Sequence, residues 1–215
     1  MIHGFFIMKL EISLAKDDDI DDIMAWRNDP QTISQSFSQN SVSREEHKLW
    51  FSKILHNYNH FVYICSNGND GTKFGMIHLE LKDAATCAVS INLCPNYRNR
   101  GIGPKFLIDV VSSFSASHDV AFVAHIRSDN FASRKCFEKA EFSLYHQNNN
   151  SVIYVNKQSL ISKIEAVRSR NNVNWMNLMR LAFKADPKSA ESIFSSINEQ
   201  DQKISNLLNL LAKKI

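Results

Sequence analysis

The chain has 215 residues, 44% of them hydrophobic, which is enough for one medium domain with a real core plus an appendage. Its net charge of +3 does not call for nucleic acid, and no run of eighteen apolar residues marks a membrane span. Met1–Met8 is too short for a signal peptide and lacks its charged start, and a start at Met8 would leave the first seven residues as an extension. Cys65, Cys87, Cys94 and Cys136 form no C-x-x-C pair, so free thiols in a reducing, cytoplasmic compartment are expected.

Lys9–Leu14 alternates like a first strand, and Asp17–Trp26 follows as a helix with its acids at the positive end of the dipole. The aspartates there lack the spacing of a calcium loop, so no metal is expected. Pro30 is expected to stop that helix. Gln31–Ser43 then reads as a long, serine-rich loop with Phe37 alone in it, and loops of that length are functional or mobile. A second helix starts at Ser43, where Glu46 completes a capping box, and carries His47, Trp50, Phe51, Ile54 and Leu55 on one side. Phe61–Cys65 is a strand, Ser66–Gly71 its turn, and Gly75–Leu81 pairs with Ala84–Leu93. A helix reaching about Phe114, a strand over Val120–Ile126 and a helix over 131–140 come next. Phe142–Tyr145 and Val152–Val155 close the sheet as a hairpin around Asn148–Asn150. This order implies a mixed α/β fold, a twisted mixed sheet of about seven strands flanked by helices.

The organising stretch is Ser90–Leu107, a strand end, a basic glycine loop and a helix start. A helix N-terminus offers unpaired N–H groups and positive partial charge. Gly101 and Gly103 let backbone approach a ligand, Pro104 suits the first helical position, and Arg98, Arg100 and Lys105 add cationic field. Together they form an anion cradle suited to a pyrophosphate, or else a tight strand-to-helix turn. The spacing is neither that of an ATP P-loop nor of a dinucleotide fingerprint.

Arg98-Asn99-Arg100-Gly101-Ile102-Gly103 resembles the R/Q-x-x-G-x-G/A loop of the GNAT acetyltransferases. Asn130–Phe142 resembles that family's second segment, N-x-x-[SA]-x-x-x-Y-[EK]-K-x-G-F, at the right distance. The resemblance covers residues 9–155 and implies a GNAT fold that uses acetyl-coenzyme A as cosubstrate. It implies coenzyme contacts from Ile91, Leu93, Arg98, Asn99, Arg100, Gly101, Ile102, Gly103, Asn130, Ser133 and Phe137. Backbone N–H near Leu93 and Cys94 would polarise the thioester carbonyl. Phe137 departs from the pattern, since the family places a general-acid tyrosine there, so Ser133, another hydroxyl or a water serves, or the thiolate leaves unassisted, or catalysis is impaired. Glu141 also departs, standing where the family has glycine.

His78 and Glu80, two apart on one strand face, are the candidate base or relay, with His47 and His125 weaker candidates. For the acceptor, Trp26–Pro30, the serine-rich loop and Arg44–Phe51 resemble the branch that acetylates amino sugars carried on a nucleotide, including that of pseudaminic acid synthesis. Trp26, Arg27, Phe37 and His47 are the candidate acceptor contacts, though Trp26 also suits a core. The expected reaction is N-acetylation of a nucleotide-linked amino sugar for bacterial surface glycans. The rival readings are a protein N-terminus or other small amine, or an impaired module acting in assembly.

Residues 1–156 are expected to form the catalytic domain and 157–215 a helical extension. Residues 156–215 hold 10 Lys+Arg against 5 Asp+Glu, while residues 1–155 hold 15 against 17. Helix boundaries are expected at Asp186-Pro187 and at Asp201. The amphipathic tail either packs on its own chain or forms a homodimer or partner interface, and no nucleic-acid or membrane partner is expected.

Overall fold

A computed structural model describes residues 9–212. The chain divides into two compact units, Met1–Lys163 and Ile164–Ile215. In the first, strands β1 (Leu10–Leu14), β2 (His60–Asn67), β3 (Lys73–Leu81), β4 (Thr86–Leu93), β5 (Ala121–Arg127), β6 (Phe142–Gln147) and β7 (Ser151–Asn156) form one seven-stranded sheet. Its order is β1-β2-β3-β4-β5-β7-β6, and only β4 and β5 run parallel. Helices α1 (Ile20–Arg27), α2 (Pro30–Gln35), α3 (Arg44–Leu55), α4 (Ile102–Ser115) and α5 (Phe131–Lys139) flank it.

Alternation along the strands makes two cores. Ile77 and Leu79 of β3 pack with Phe106, Leu107, Val110 and Phe114 of α4, all spaced along one helical face. Val62, Ile64 and Met76 face the other way, against Ile23, Trp26, Phe51 and Ile54 of α1 and α3. Ser43 and Glu46 form the expected capping box of α3.

Pro30 corrects one expectation. It takes the first position of α2 rather than merely ending α1, because Asp29 caps the new helix by accepting from Thr32 N–H at 3.0 Å. The first five residues of the expected loop, 31–35, are therefore helical. Glu141 takes φ +66°, the left-handed conformation a glycine would hold without strain.

The decisive feature is where β4 and β5 separate. They pair only from Thr86–Ala88 to Ala121–Val123, and both continue beyond that point. Lys82 N–H donates to Thr86 O, and Cys94 N–H donates to Phe74 O, both at 2.9 Å. Alternation between these two bonds turns the backbone groups of Val89, Ile91 and Leu93 away from β3, into the opening.

The second unit holds most of α6 (Lys157–Ala185) and all of α7 (Pro187–Ala212). Asp186 caps α7 through Ser189, and Pro187 takes its first position, as expected. Asp201 starts no new helix, because α7 runs on to Ala212. Phe183 stacks on Phe194 at 5.7 Å, while Trp175, Leu178 and Leu181 stay exposed.

Candidate active site

The opening between β4 and β5 holds a cleft of about 470 Å³. One wall is the end of β4, the 98–103 loop and the first turns of α4 and α5. Asn99 (φ +60°) and Gly101 (φ +76°) turn this loop into the start of α4. Asparagine tolerates that conformation and glycine takes it freely. A Cβ on Gly101 would meet nothing within 4 Å, so the loop faces open space. A Cβ on Gly103 would stand 2.8 Å from Cys136 Sγ, so this glycine seats α4 against α5. Pro104 lies third in the helix rather than first, where its missing N–H still leaves no bond unmade.

The basic residues act differently from expectation. Arg98 is spent on protein partners. It pairs with Asp29 at 2.7 Å and donates to Gln31 Oε1, Thr32 Oγ1 and Leu93 O at 3.0, 2.9 and 3.2 Å. Burial alone would raise the Asp29 pKa, but the Arg98 guanidinium and Thr32 outweigh it and hold the carboxyl below its usual value. Arg100 lies over the Tyr97 ring at 5.1 Å, and Lys105 pairs with Asp109. The uncommitted field at this wall comes from the helix end and from Lys135 and Lys139, which line the cleft.

Asn130 caps α5 by accepting from Ser133 N–H at 3.0 Å, which leaves its amide NH2 for a ligand. Ser133 lines the cleft in the first turn. Phe137 lines it too, packed edge-on to Phe142 at 5.0 Å. Leu93 N–H points into the cleft, whereas Cys94 N–H is used by Phe74 and cannot polarise a carbonyl. Burial pushes the Cys136 thiol up to about 11, so it is a packing residue rather than a nucleophile.

The opposite wall is Gln31, Thr32, Gln35, Ser36 and Phe37 from α2 and its exit, Ser90 and Asn92 from β4, and His125 from β5. Phe37 is 54% exposed and lies on His125, with ring centroids 4.6 Å apart. Of the four expected acceptor contacts, Phe37 alone lines the cleft. Trp26, 5% exposed, belongs to the α1–α3 core. His47, 2% exposed, donates from Nε2 to Ile20 O at 3.1 Å, and burial holds its pKa down. It bolts α3 to α1. Arg27 donates to Ser38 Oγ and Asn40 O, and so braces the segment that carries Phe37.

His78 and Glu80 lie one strand back from the cleft, on the face of Ser90, the Cα partner of His78. His60, which the sequence reading did not single out, stands beside them. Its Nδ1 lies 2.9 Å from His78 Nε2, so one ring donates and the other accepts. Trp50 presents an edge contact to His78. Burial, and then His60, push the His78 pKa down to about 4, so its ring is neutral near pH 7. Glu80 is paired with Lys82 at 2.6 Å. Burial would raise its pKa, but Lys82 wins and lowers it. It is a carboxylate that tunes the histidines rather than one aimed at the cleft.

A strand edge, a left-handed glycine loop and a helix N-terminus around one cleft suit an extended anionic ligand such as a coenzyme. The model of the acetyltransferase (GNAT) domain matches residues 9–143, so the chain belongs to the GNAT acetyltransferase family, whose cosubstrate is acetyl-coenzyme A. No curated protein sequence matches the chain. Among solved structures, it resembles a domain from Methanocaldococcus jannaschii at 22% identity and TM-score 0.59, covering 68% of this chain and 97% of that one. Spermidine N-acetyltransferase from Vibrio cholerae, in complex with CoA and spermine, is similar at 14% identity and TM-score 0.60, covering 70% and 98%. An aminoglycoside acetyltransferase in complex with coenzyme A and kanamycin is similar at 14% identity and TM-score 0.58, covering 72% and 98%. At such identities the likeness shows the fold.

Among the described residues, no group of histidine, cysteine and acidic side chains could hold a metal, and no helix is long and apolar enough to cross a membrane. All four cysteines are free.

Proposed function

We propose that the protein transfers acetyl from acetyl-coenzyme A to the amine of a nucleotide-linked amino sugar, in the cytoplasm, for bacterial surface-glycan synthesis. One observation carries the choice of acceptor. Among the described residues, no aspartate or glutamate lines the cleft, and its acceptor wall is amide, hydroxyl and aromatic. Spermine and kanamycin, the partners of the relatives above, are polycations, and a cleft needs negative field to gather them. This wall suits a neutral sugar on an anionic carrier. Phe37 on His125 offers a ring face to a base or sugar, and the amides and hydroxyls suit sugar oxygens.

The coenzyme residues fit their group. Amides at Gly101–Gly103 take the pyrophosphate, Lys135 and Lys139 add field, and Asn130 and the edge at Ile91 and Leu93 take the pantetheine. The coenzyme supplies an activated acyl group when bound. Leu93 N–H polarises the carbonyl that the amine attacks. The neutral His78 ring, one strand behind Ser90, accepts the amine's proton through a water and can hand one on to His60. Phe137 gives no proton to the departing sulfur, and that role falls to the Ser133 hydroxyl in the positive first turn of α5.

The test is thiol release from acetyl-coenzyme A across a panel of amino-sugar nucleotides, spermidine and kanamycin. Turnover confined to the sugar nucleotides is expected. Preference for a polycation would overturn the acceptor. Tight coenzyme binding with no turnover on any amine would favour an impaired module.

A further inference from the structure

Arg98 sits at the start of the phosphate loop, yet its guanidinium works across the cleft. It ties three α2 groups, Asp29 Oδ2, Gln31 Oε1 and Thr32 Oγ1, to its own loop and to Leu93 O. Thr32 continues the link to Asn92 Oδ1 at 3.3 Å. The Arg98–Asp29 pair is mostly shielded, with side chains 19% and 17% exposed. Such a pair keeps more of its strength than one in open water. Planar, forked geometry suits Arg98 to several fixed acceptors at once, which a lysine could not satisfy.

The helix it holds has little else to hold it. Helix α2 spans six residues, and none is buried. A helix that short has no stability of its own, and here no apolar face compensates. Beyond Arg98, the segment is secured mainly at its ends. Asn28 exchanges two hydrogen bonds of 2.8 Å with the backbone of Val42, and Arg27 holds Ser38 and Asn40. Yet α2 and its exit supply Gln31, Thr32, Gln35, Ser36 and Phe37 to the acceptor wall.

We infer that Arg98 is a positioning residue that makes the acceptor wall depend on the coenzyme: when the adjacent loop closes on its anion, Arg98 carries α2 into register for the acceptor. This rests on the coenzyme reading of the 98–103 loop. Arg98 is next to left-handed Asn99, so settling of the loop backbone is passed to its side chain within one residue. By reciprocity, an acceptor seated on α2 tightens coenzyme binding by the same factor.

The test is hydrogen exchange of the full chain with and without saturating coenzyme A, comparing peptides over residues 29–37 and 99–107. In the wild type, coenzyme A should slow both, the α2 segment by about fivefold or more. In Asp29→Asn and in Thr32→Val, a near-isosteric change, protection of 99–107 should persist while that of α2 is lost. A purely structural brace would raise exchange in α2 equally with and without coenzyme A. The inference is overturned if α2 is unmoved in the wild type while 99–107 is protected, or if both variants keep α2 protection. Absence of protection at 99–107 in the wild type overturns the coenzyme reading and the inference with it.

Discussion

The two walls of the cleft, proposed above to take the coenzyme and the acceptor, are built in opposite ways. The coenzyme wall rests on a packed core. Ile102, Phe106 and Leu107 lie under the loop with almost no exposure, and Gly103 brings α4 directly against Cys136. The acceptor wall rests on polar bonds. Helix α2 has no fully buried residue, Phe37 is half in solvent, and one arginine does most of the holding. Burial fixes a backbone cheaply and permanently, whereas a polar brace is worth little net and can be exchanged. The donor side is therefore preformed, and the acceptor side is the adjustable one.

The largest expected break lies in the preformed wall. Gly101→Val forces a β-branched residue into φ +76° and projects methyls into the space a pyrophosphate would fill. Coenzyme A affinity should fall about a hundredfold or more by calorimetry, while the second unit melts as before. Unchanged affinity would mean the cradle is not one. Behind the other wall, His78→Gln keeps a hydrogen-bonding side chain beside His60 but no base. It should lower kcat about a hundredfold and leave coenzyme affinity alone. Phe37→Ala should raise the acceptor KM about tenfold with little change in kcat, because it removes an exposed contact face and no buried support. If the coenzyme Kd moved with it, the walls would not be separable in this way.

Legibility followed the same division. The coenzyme wall is nearly contiguous in sequence. Residues 89–103 and 130–137 each form a local turn into a helix, and local turns are written in glycine, asparagine and proline. The acceptor wall joins segments around residues 31–37, 90–92 and 125, and no local pattern says that Asp29 meets Arg98 sixty-nine residues later. Trp26 and His47 misled for a related reason. A helix face shows which residues point one way, and not whether core or cleft lies there. His60 was findable, since pairing β2 with β3 places it across from Glu80 and near His78. Ile91 and Leu93 rested on the family resemblance, because which backbone groups of β4 face away from β3 is set by the register of that pair.

A smaller effect is set by pH and acts on the α1–α3 side of the sheet, where His47 and His78 both contact Trp50. Burial first, then His60, lowers the His78 pKa to about 4, and burial lowers that of His47. Each folded ring therefore binds fewer protons than its unfolded counterpart once pH drops below about 6.5. Stability is full above that value and declines as pH falls toward 5. Asp29 and Glu80, whose pKa values are lowered, lose their contribution only at more acid pH, so the window isolates the histidines. The melting temperature should drop by about 3–5 °C between pH 7 and 5, with part of the slope removed in His78→Gln and part in His47→Gln. A slope untouched by His78→Gln would show that its ring is not held neutral, and its role as base would go with it.

The smallest effect tests how far the coenzyme wall is from its optimum. Glu141 follows α5 at φ +66°, just after the Ala140 cap, the position where helices prefer glycine. Its N–H still donates to Glu138 O at 3.2 Å, so the left-handed turn is required by the exit into β6 rather than by the glutamate. A side chain there costs about 1 kcal/mol in strain, and a glycine returns part of that through the freedom it adds to the unfolded chain. Glu141→Gly should thus raise stability by about 0.5 kcal/mol, seen as a higher urea midpoint at constant slope. The same variant should leave the acceptor KM unmoved, because the preformed wall gains rigidity it already has. A gain in stability accompanied by a change in acceptor KM would show that the two walls share a support beyond Arg98.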